Sequence, residues 1–253
     1  GQLWRRKPWG NGARGVVAFR SIGSPDDSSI SAQEGQPTHG RRLPMRVRQM
    51  TPQHPHWSDL PRERWDDWTW QQQNRLVRLD EIESVIGLTD SERRAFEECA
   101  ERFQVSITPY YASLMDPSDP HCPVRAQALP QPGEATIHEF ELEDPLAEET
   151  HMPVPGITHR YPDRVLLYVI HHCPVYCRHC TRKRKVANPN TAATQKQLNA
   201  GIEYIARTTA VRDVLLSGGD PLSLSDARLD EILGRLLAID HVDLVRIGTR
   251  NPV

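Results

Sequence analysis

Three of the five cysteines fall within eight residues, as Cys173, Cys177 and Cys180, directly behind the apolar run Val165–Ile170. A short, partly β-branched apolar run of this kind reads as a buried strand, so the cysteines lie on a loop leaving its C-terminal end. That is where parallel α/β sheets carry their chemistry. Two further strand readings follow, Asp213–Leu216 and Val242–Ile247. Between the first and second lies a helical pattern opened by Thr194-x-x-Gln197, with Leu198, Ile202 and Ile205 on one face. Between the second and third lies another, with an N-cap expected at Ser223 and Leu229, Ile232, Leu233, Leu236 and Leu237 at helical spacing. Strand, helix, strand, helix, strand at this interval predicts a parallel sheet with helices packed on it.

Thiolates suit a soft metal centre. Three of them leave one iron of a 4Fe-4S cluster open for a ligand, because such a cluster ordinarily takes four cysteines. Two alternatives stand beside this reading. Cys177 and Cys180 with one of His171, His172 or His179 would suit zinc, although no second ligand pair stands at the usual spacing. A disulfide would suit a secreted chain, and nothing here marks one. Cys99 reads as a small core residue on a helix and Cys122 as a loop thiol.

The spacing Cys-x3-Cys-x2-Cys resembles that of the radical S-adenosylmethionine enzymes. The longer strings Thr158-His159-Arg160-Tyr161-Pro162-Asp163-Arg164 and Tyr176-Cys177-Arg178-His179-Cys180-Thr181-Arg182-Lys183-Arg184 resemble the lysine 2,3-aminomutase family. The likeness runs from about Trp57 to Val253. It implies the first half of a six-stranded partial (β/α) barrel, an α/β fold, over residues 151–253. A helical N-terminal region with an extended connection would precede it over 56–150, and residues 1–55 would form a disordered leader. It also implies a chain that is the N-terminal portion of a longer one.

By the same resemblance, Cys173, Cys177 and Cys180 hold the cluster. Ser217, Gly218, Gly219 and Asp220 meet the methionyl end of S-adenosylmethionine, with Thr249 and Arg250 lining the same pocket. Arg182 binds the substrate α-carboxylate, while Arg160 and Arg164 hold the phosphate of pyridoxal 5′-phosphate. The activity implied moves the α-amino group of L-lysine to Cβ; a glutamate 2,3-aminomutase and a non-catalytic iron–sulfur or zinc-binding relative are the alternatives. None of Lys7, Lys183, Lys185 and Lys196 matches the family's Schiff-base lysine, so no catalytic residue is expected in this stretch. Expected partners are a small amino acid substrate, an electron donor such as a flavodoxin or ferredoxin, and further copies of the full-length chain.

Charge and hydropathy exclude other classes. A net charge of −2 and a pI of about 6.6 give no general pull toward nucleic acid or an anionic membrane. No apolar run approaches the roughly 18 residues of a membrane span, and a cytoplasmic, reducing setting suits free thiolates. Residues 1–55 are rich in Gly, Pro, Ser, Arg and Gln and lack periodic apolar positions, which is the ground for expecting disorder. Beyond them, Trp65, Trp68, Trp70 and Leu76 suggest an amphipathic segment, and Thr89-x-x-Glu92 a capping box.

Overall fold

The structure, a computed structural model, describes residues 54–100, 102–186 and 193–251, and the backbone of residues 2–5 and 18–19. Its centre is an open mixed sheet in the order β2-β1-β6-β5-β4-β3. The strands are β1 (Gln2–Arg5), β2 (Ala18–Phe19), β3 (Ile157–Tyr161), β4 (Arg164–Ile170), β5 (Asp213–Gly218) and β6 (Leu244–Ile247). β4, β5 and β6 run parallel, as the three strand readings require, with Val165 beside Val214 and Val214 beside Val245.

Alternation along β4 sends Val165, Leu167 and Val169 to one face. There they meet Val214 and Leu216 of β5 and Val245 and Ile247 of β6. Two helices cover this face, one over Gln195–Arg207 and one over Asp226–Leu237. Leu198, Ile202 and Ile205 of the first and Ile232 and Leu236 of the second close the core. Each aliphatic side chain so enclosed contributes on the order of 2 kcal/mol. The other face, carrying Tyr168, Ser217 and Arg246, is only half-buried.

The Thr194 box forms as expected, with the Thr194 hydroxyl accepting from the Gln197 N–H and the Gln197 side chain accepting from the Thr194 N–H. The cap at Ser223 does not. Pro221–Ser223 is a 3₁₀ turn capped by Asp220, and the helix begins two residues later under Ser225, whose hydroxyl accepts from the Arg228 N–H. Ser225→Ala is therefore expected to destabilise the chain by about 1 kcal/mol, the usual worth of an N-cap. Ser223→Ala should cost less, and urea denaturation of both variants measures the difference; an equal loss would contradict the assignment.

Sequence reading left out β3. It pairs antiparallel with β4 across the turn at Pro162 and Asp163. Most of residues 1–55, and with them most of the expected disordered leader, lie outside the described residues. Where the two can be compared, the backbone of Gln2–Arg5 is instead a strand antiparallel to β6, with Ala18–Phe19 paired beyond it. The outer edge of β6 presents free N–H and C=O groups, and these pair with a backbone whatever its side-chain pattern.

Residues 54–129 form a second apolar cluster built from short helices. Arg62–Trp65 and Trp68–Gln73 replace the single amphipathic segment, split at Asp66 and Asp67, where Asp67 caps the second helix. Leu79–Val85 and Asp90–Cys99 follow, the latter opened by the Thr89–Glu92 box. Pro109–Ser113 and Pro123–Ala126 complete the set. Trp65, Ile82, Ile86, Ile107 and Leu129 are its buried centre. Cys99 is buried on its helix as expected, and Cys122 is buried too, at the start of Pro123–Ala126. One ion pair is almost wholly enclosed: Arg125 donates to both Glu92 oxygens, at 2.7 and 2.6 Å, and to the Gly87 carbonyl at 2.7 Å.

Candidate functional site

The C-terminal ends of β4, β5 and β6 open into one cavity of about 740 Å³. The loops after the three strands supply Cys173, Cys177 and Cys180, then Ser217 to Asp220, then Gly248 to Arg250. Its far wall comes from the helical cluster, through Trp65, Trp68, Tyr110 and Tyr111. Trp65 thus belongs both to the core and to the cavity, while Trp68 is nearly half exposed at 46%.

The cysteine loop leaves the sheet at a register shift between Tyr168 and Ile170, a bulge that turns the chain out of the ladder. The Gly218–Gly219 pair then passes tightly beneath it. Gly218 has φ +117°, and a Cβ on Gly219 would stand 2.6 Å from the His172 carbonyl carbon. Backbone bonds fix the crossing, from Gly219 N–H to Ile170 O at 2.7 Å and from Asp220 N–H to His172 O at 3.0 Å. These glycines therefore admit the cysteine loop itself, which adds a structural reason to the ligand-approach role expected of them.

The loop also lies against the helical cluster. Tyr176 N–H donates to Ser106 O and Arg178 N–H to Gln127 O, both at 2.9 Å, and Arg75 donates to Cys173 O at 3.0 Å. Val175 packs on the helical core. Arg178 is buried in an ion pair with Glu134 at 2.7 Å and also donates to Gln104 O.

All three cysteines are free thiols lining the same cavity, and none is in a disulfide. Burial, then the neighbouring Asp220, pushes the Cys173 thiol well above its ordinary range, and burial raises Cys180 as well. Iron binding would have to displace those protons. The histidines do not share the wall: His171 and His172 pack edge to face, His179 is exposed, and His172 faces a smaller cleft with Arg75. Burial also lowers the His172 pKa. Among the described residues no three His, Cys, Asp or Glu side chains are gathered into a group that could hold a single ion. With the histidines turned away, the soft donors lining the cavity are the three thiols, which suit an iron–sulfur cluster better than a Cys/His zinc site.

The other expected residues divide. Asp220 is buried, and its oxygens accept from Leu222 N–H at 3.0 Å, Thr249 Oγ1 at 2.6 Å and Arg250 N–H at 2.8 Å. It ties the β5 and β6 loops together. Arg182 lines the cavity, but Nε and Nη2 already engage the buried Glu148 carboxylate at 2.7 and 2.5 Å. Nη1 is left facing Ser217 Oγ at 3.4 Å, and the guanidinium lies 5.5 Å over the Tyr168 ring.

Arg160 and Arg164 are not in the cavity. Arg160 is exposed and reaches Leu146 O. Arg164 starts β4, where it and Arg246 converge on Asp213. Six residues of strand, roughly 20 Å at 3.3 Å each, separate it from Ile170 and the cysteine loop. The charge partners explain the placement: Asp213 sits beside Arg164 in the parallel register and draws both arginines to the opposite end of the sheet. Glu148, Glu134, Tyr111 and Gln127 went unread in the sequence, where no spacing or run sets them apart.

Comparison with known proteins agrees with the thiol site. Residues 161–239 match the family model described as a 4Fe-4S single cluster domain. The chain is 47% identical over 197 residues to L-lysine 2,3-aminomutase of Bacillus subtilis (strain 168), covering 78% of this chain and 42% of that protein. It is 48% identical over 189 residues to L-lysine 2,3-aminomutase of Clostridium subterminale, covering 75% and 45%. Glutamate 2,3-aminomutase of Clostridioides difficile (strain 630) matches at 39% over 191 residues, covering 76% and 45%. The chain therefore spans a little under half the length of these relatives, and over that span it is kin to the lysine 2,3-aminomutase family.

Proposed function

From that kinship we propose that the chain forms the N-terminal, radical-generating portion of a radical S-adenosylmethionine, pyridoxal-phosphate-dependent amino acid 2,3-aminomutase that converts L-lysine to L-β-lysine. The observation that supports it most is the convergence of Cys173, Cys177, Cys180, Ser217–Asp220 and Arg182 on one cavity at the strand ends. An open sheet of this kind is what part of a (β/α) barrel would present.

A cluster on the three cysteines would supply the electron that cleaves S-adenosylmethionine and yields a hydrogen-abstracting adenosyl radical. The chain's own residues set the stage for it. The glycine crossing and the Asp220 bonds hold the strand-end loops in fixed relation. Trp65 and Tyr111 wall the cavity against water. Glu148 and Tyr168 orient Arg182, so that Nη1 is the nitrogen free to meet a substrate carboxylate beside Ser217.

Arg160 and Arg164 do not fit a phosphate site shared with this cavity, so no step is assigned to pyridoxal phosphate on the described residues. Reduction by a flavodoxin- or ferredoxin-like donor, oligomeric assembly and a cytoplasmic setting belong to the same proposal. Among the described residues no helix is long and apolar enough to cross a membrane.

The test is anaerobic reconstitution with iron and sulfide, then dithionite and S-adenosylmethionine, with 5′-deoxyadenosine quantified. Formation is expected, and it should be lost when the three cysteines are changed to alanine. No cluster in a folded chain would overturn the assignment. On a full-length version, binding that favours glutamate over lysine would move the substrate to that amino acid.

A further inference from the structure

Arg250 is held from several sides at once. Its N–H donates to Asp220, its Nη2 donates to Tyr111 Oη at 2.9 Å and to Gln127 Oε1 at 2.6 Å, and the guanidinium stacks 5.4 Å over the Tyr111 ring. Its remaining terminal nitrogen, Nη1, donates to the Cys177 sulfur. Thus the β6 loop and two segments of the helical cluster together aim one cationic donor at one thiol of the three. By contrast, the Cys180 sulfur receives a neutral backbone N–H, from Arg182 at 3.4 Å.

We infer that Arg250 is a positioning and tuning residue for the cluster, donating an N–H to the Cys177 sulfur and raising the reduction potential of the iron–sulfur centre. The inference rests on the cluster assignment above. Reduction adds one electron, supplied by dithionite or the physiological donor, and the added charge spreads over irons and sulfurs. A fixed positive charge and a hydrogen bond at a ligating sulfur stabilise the reduced state more than the oxidised one. Tyr111 and Gln127 do not reach the sulfur; they hold the guanidinium against it.

The experiment is a potentiometric titration of the reconstituted chain without S-adenosylmethionine, followed by electron paramagnetic resonance, with iron and sulfide counted first. Arg250→Gln is expected to hold the cluster at a more negative midpoint potential, so that a poise half-reducing the wild type reduces less of the variant. Arg250→Lys, which keeps charge but not the fork, should fall between them. Tyr111→Phe and Gln127→Leu should shift the midpoint the same way by less. A wild-type midpoint in Arg250→Gln at equal iron content overturns the inference. If that variant fails to assemble a cluster, unshifted midpoints in Tyr111→Phe and Gln127→Leu overturn it instead. A wild-type chain that takes up no iron overturns the cluster reading beneath it.

Discussion

Gly219→Ala is expected to destabilise the chain by about 3 kcal/mol, the upper range for forcing extra volume into a packed site. The added methyl would lie 2.6 Å from the His172 carbonyl carbon and 2.7 Å from the His172 nitrogen. Both are backbone atoms, so no rotamer change relieves the clash. Either β5 or the cysteine loop must move, and the bonds to Ile170 O and His172 O would lengthen with it. Gly234→Ala, on the helix covering the sheet, is the control, because a Cβ there meets nothing within 4 Å. Gly234→Ala should stabilise modestly, by up to about 1 kcal/mol, as alanine replaces glycine inside a helix. Guanidinium denaturation monitored by circular dichroism measures both; a Gly219→Ala chain within 0.5 kcal/mol of wild type, a roughly neutral change on the usual scale of substitutions, would refute the crossing as drawn.

Glu92→Gln is expected to cost about 3–5 kcal/mol, because it leaves the Arg125 charge buried without its counter-charge. Arg125 is 1% exposed and cannot recover water without opening the helical core. The same pair sets an acid limit. Burial pushes the Glu92 carboxyl up, but hydrogen bonds from Arg125 and Thr89 outweigh it and hold the pKa below the ordinary glutamate value of 4.5. A carboxyl depressed in the folded state contributes stability above its unfolded value, and that contribution is lost as pH falls through the folded one. Wild-type stability should therefore decline below about pH 4.5, while Glu92→Gln, already weaker, should decline less over the same window. Denaturation midpoints at pH 7, 5, 4 and 3 measure it; parallel curves would show that Glu92 is not the group responsible.

Local signals carried far in this sequence. The β4, β5 and β6 strands, the Thr89 and Thr194 boxes and the cysteine loop depend on contiguous residues, and each was legible. Ser223 misled because Ser225 lies two residues on, and only the Asp220-capped turn decides which serine starts the helix. β3 escaped because Thr158–Tyr161 lacks clean alternation and owes its place to pairing with β4. Arg160 and Arg164 came by resemblance alone. Their destination depends on where Asp213 and Leu146 stand, and those partners are distant in sequence. Arg182 was legible as a cavity residue, but its occupation by Glu148 was not. A charge's partner is a tertiary fact.

The cysteine loop is bonded on one side to the sheet and on the other to Ser106, Gln127, Gln104 and Glu134. Whatever seats a rigid ligand on that loop therefore acts on both packed units through mass action, since the ligand favours only the arrangement in which both grip it. Oxygen damage at the sulfurs would then be felt by helices that never touch the metal.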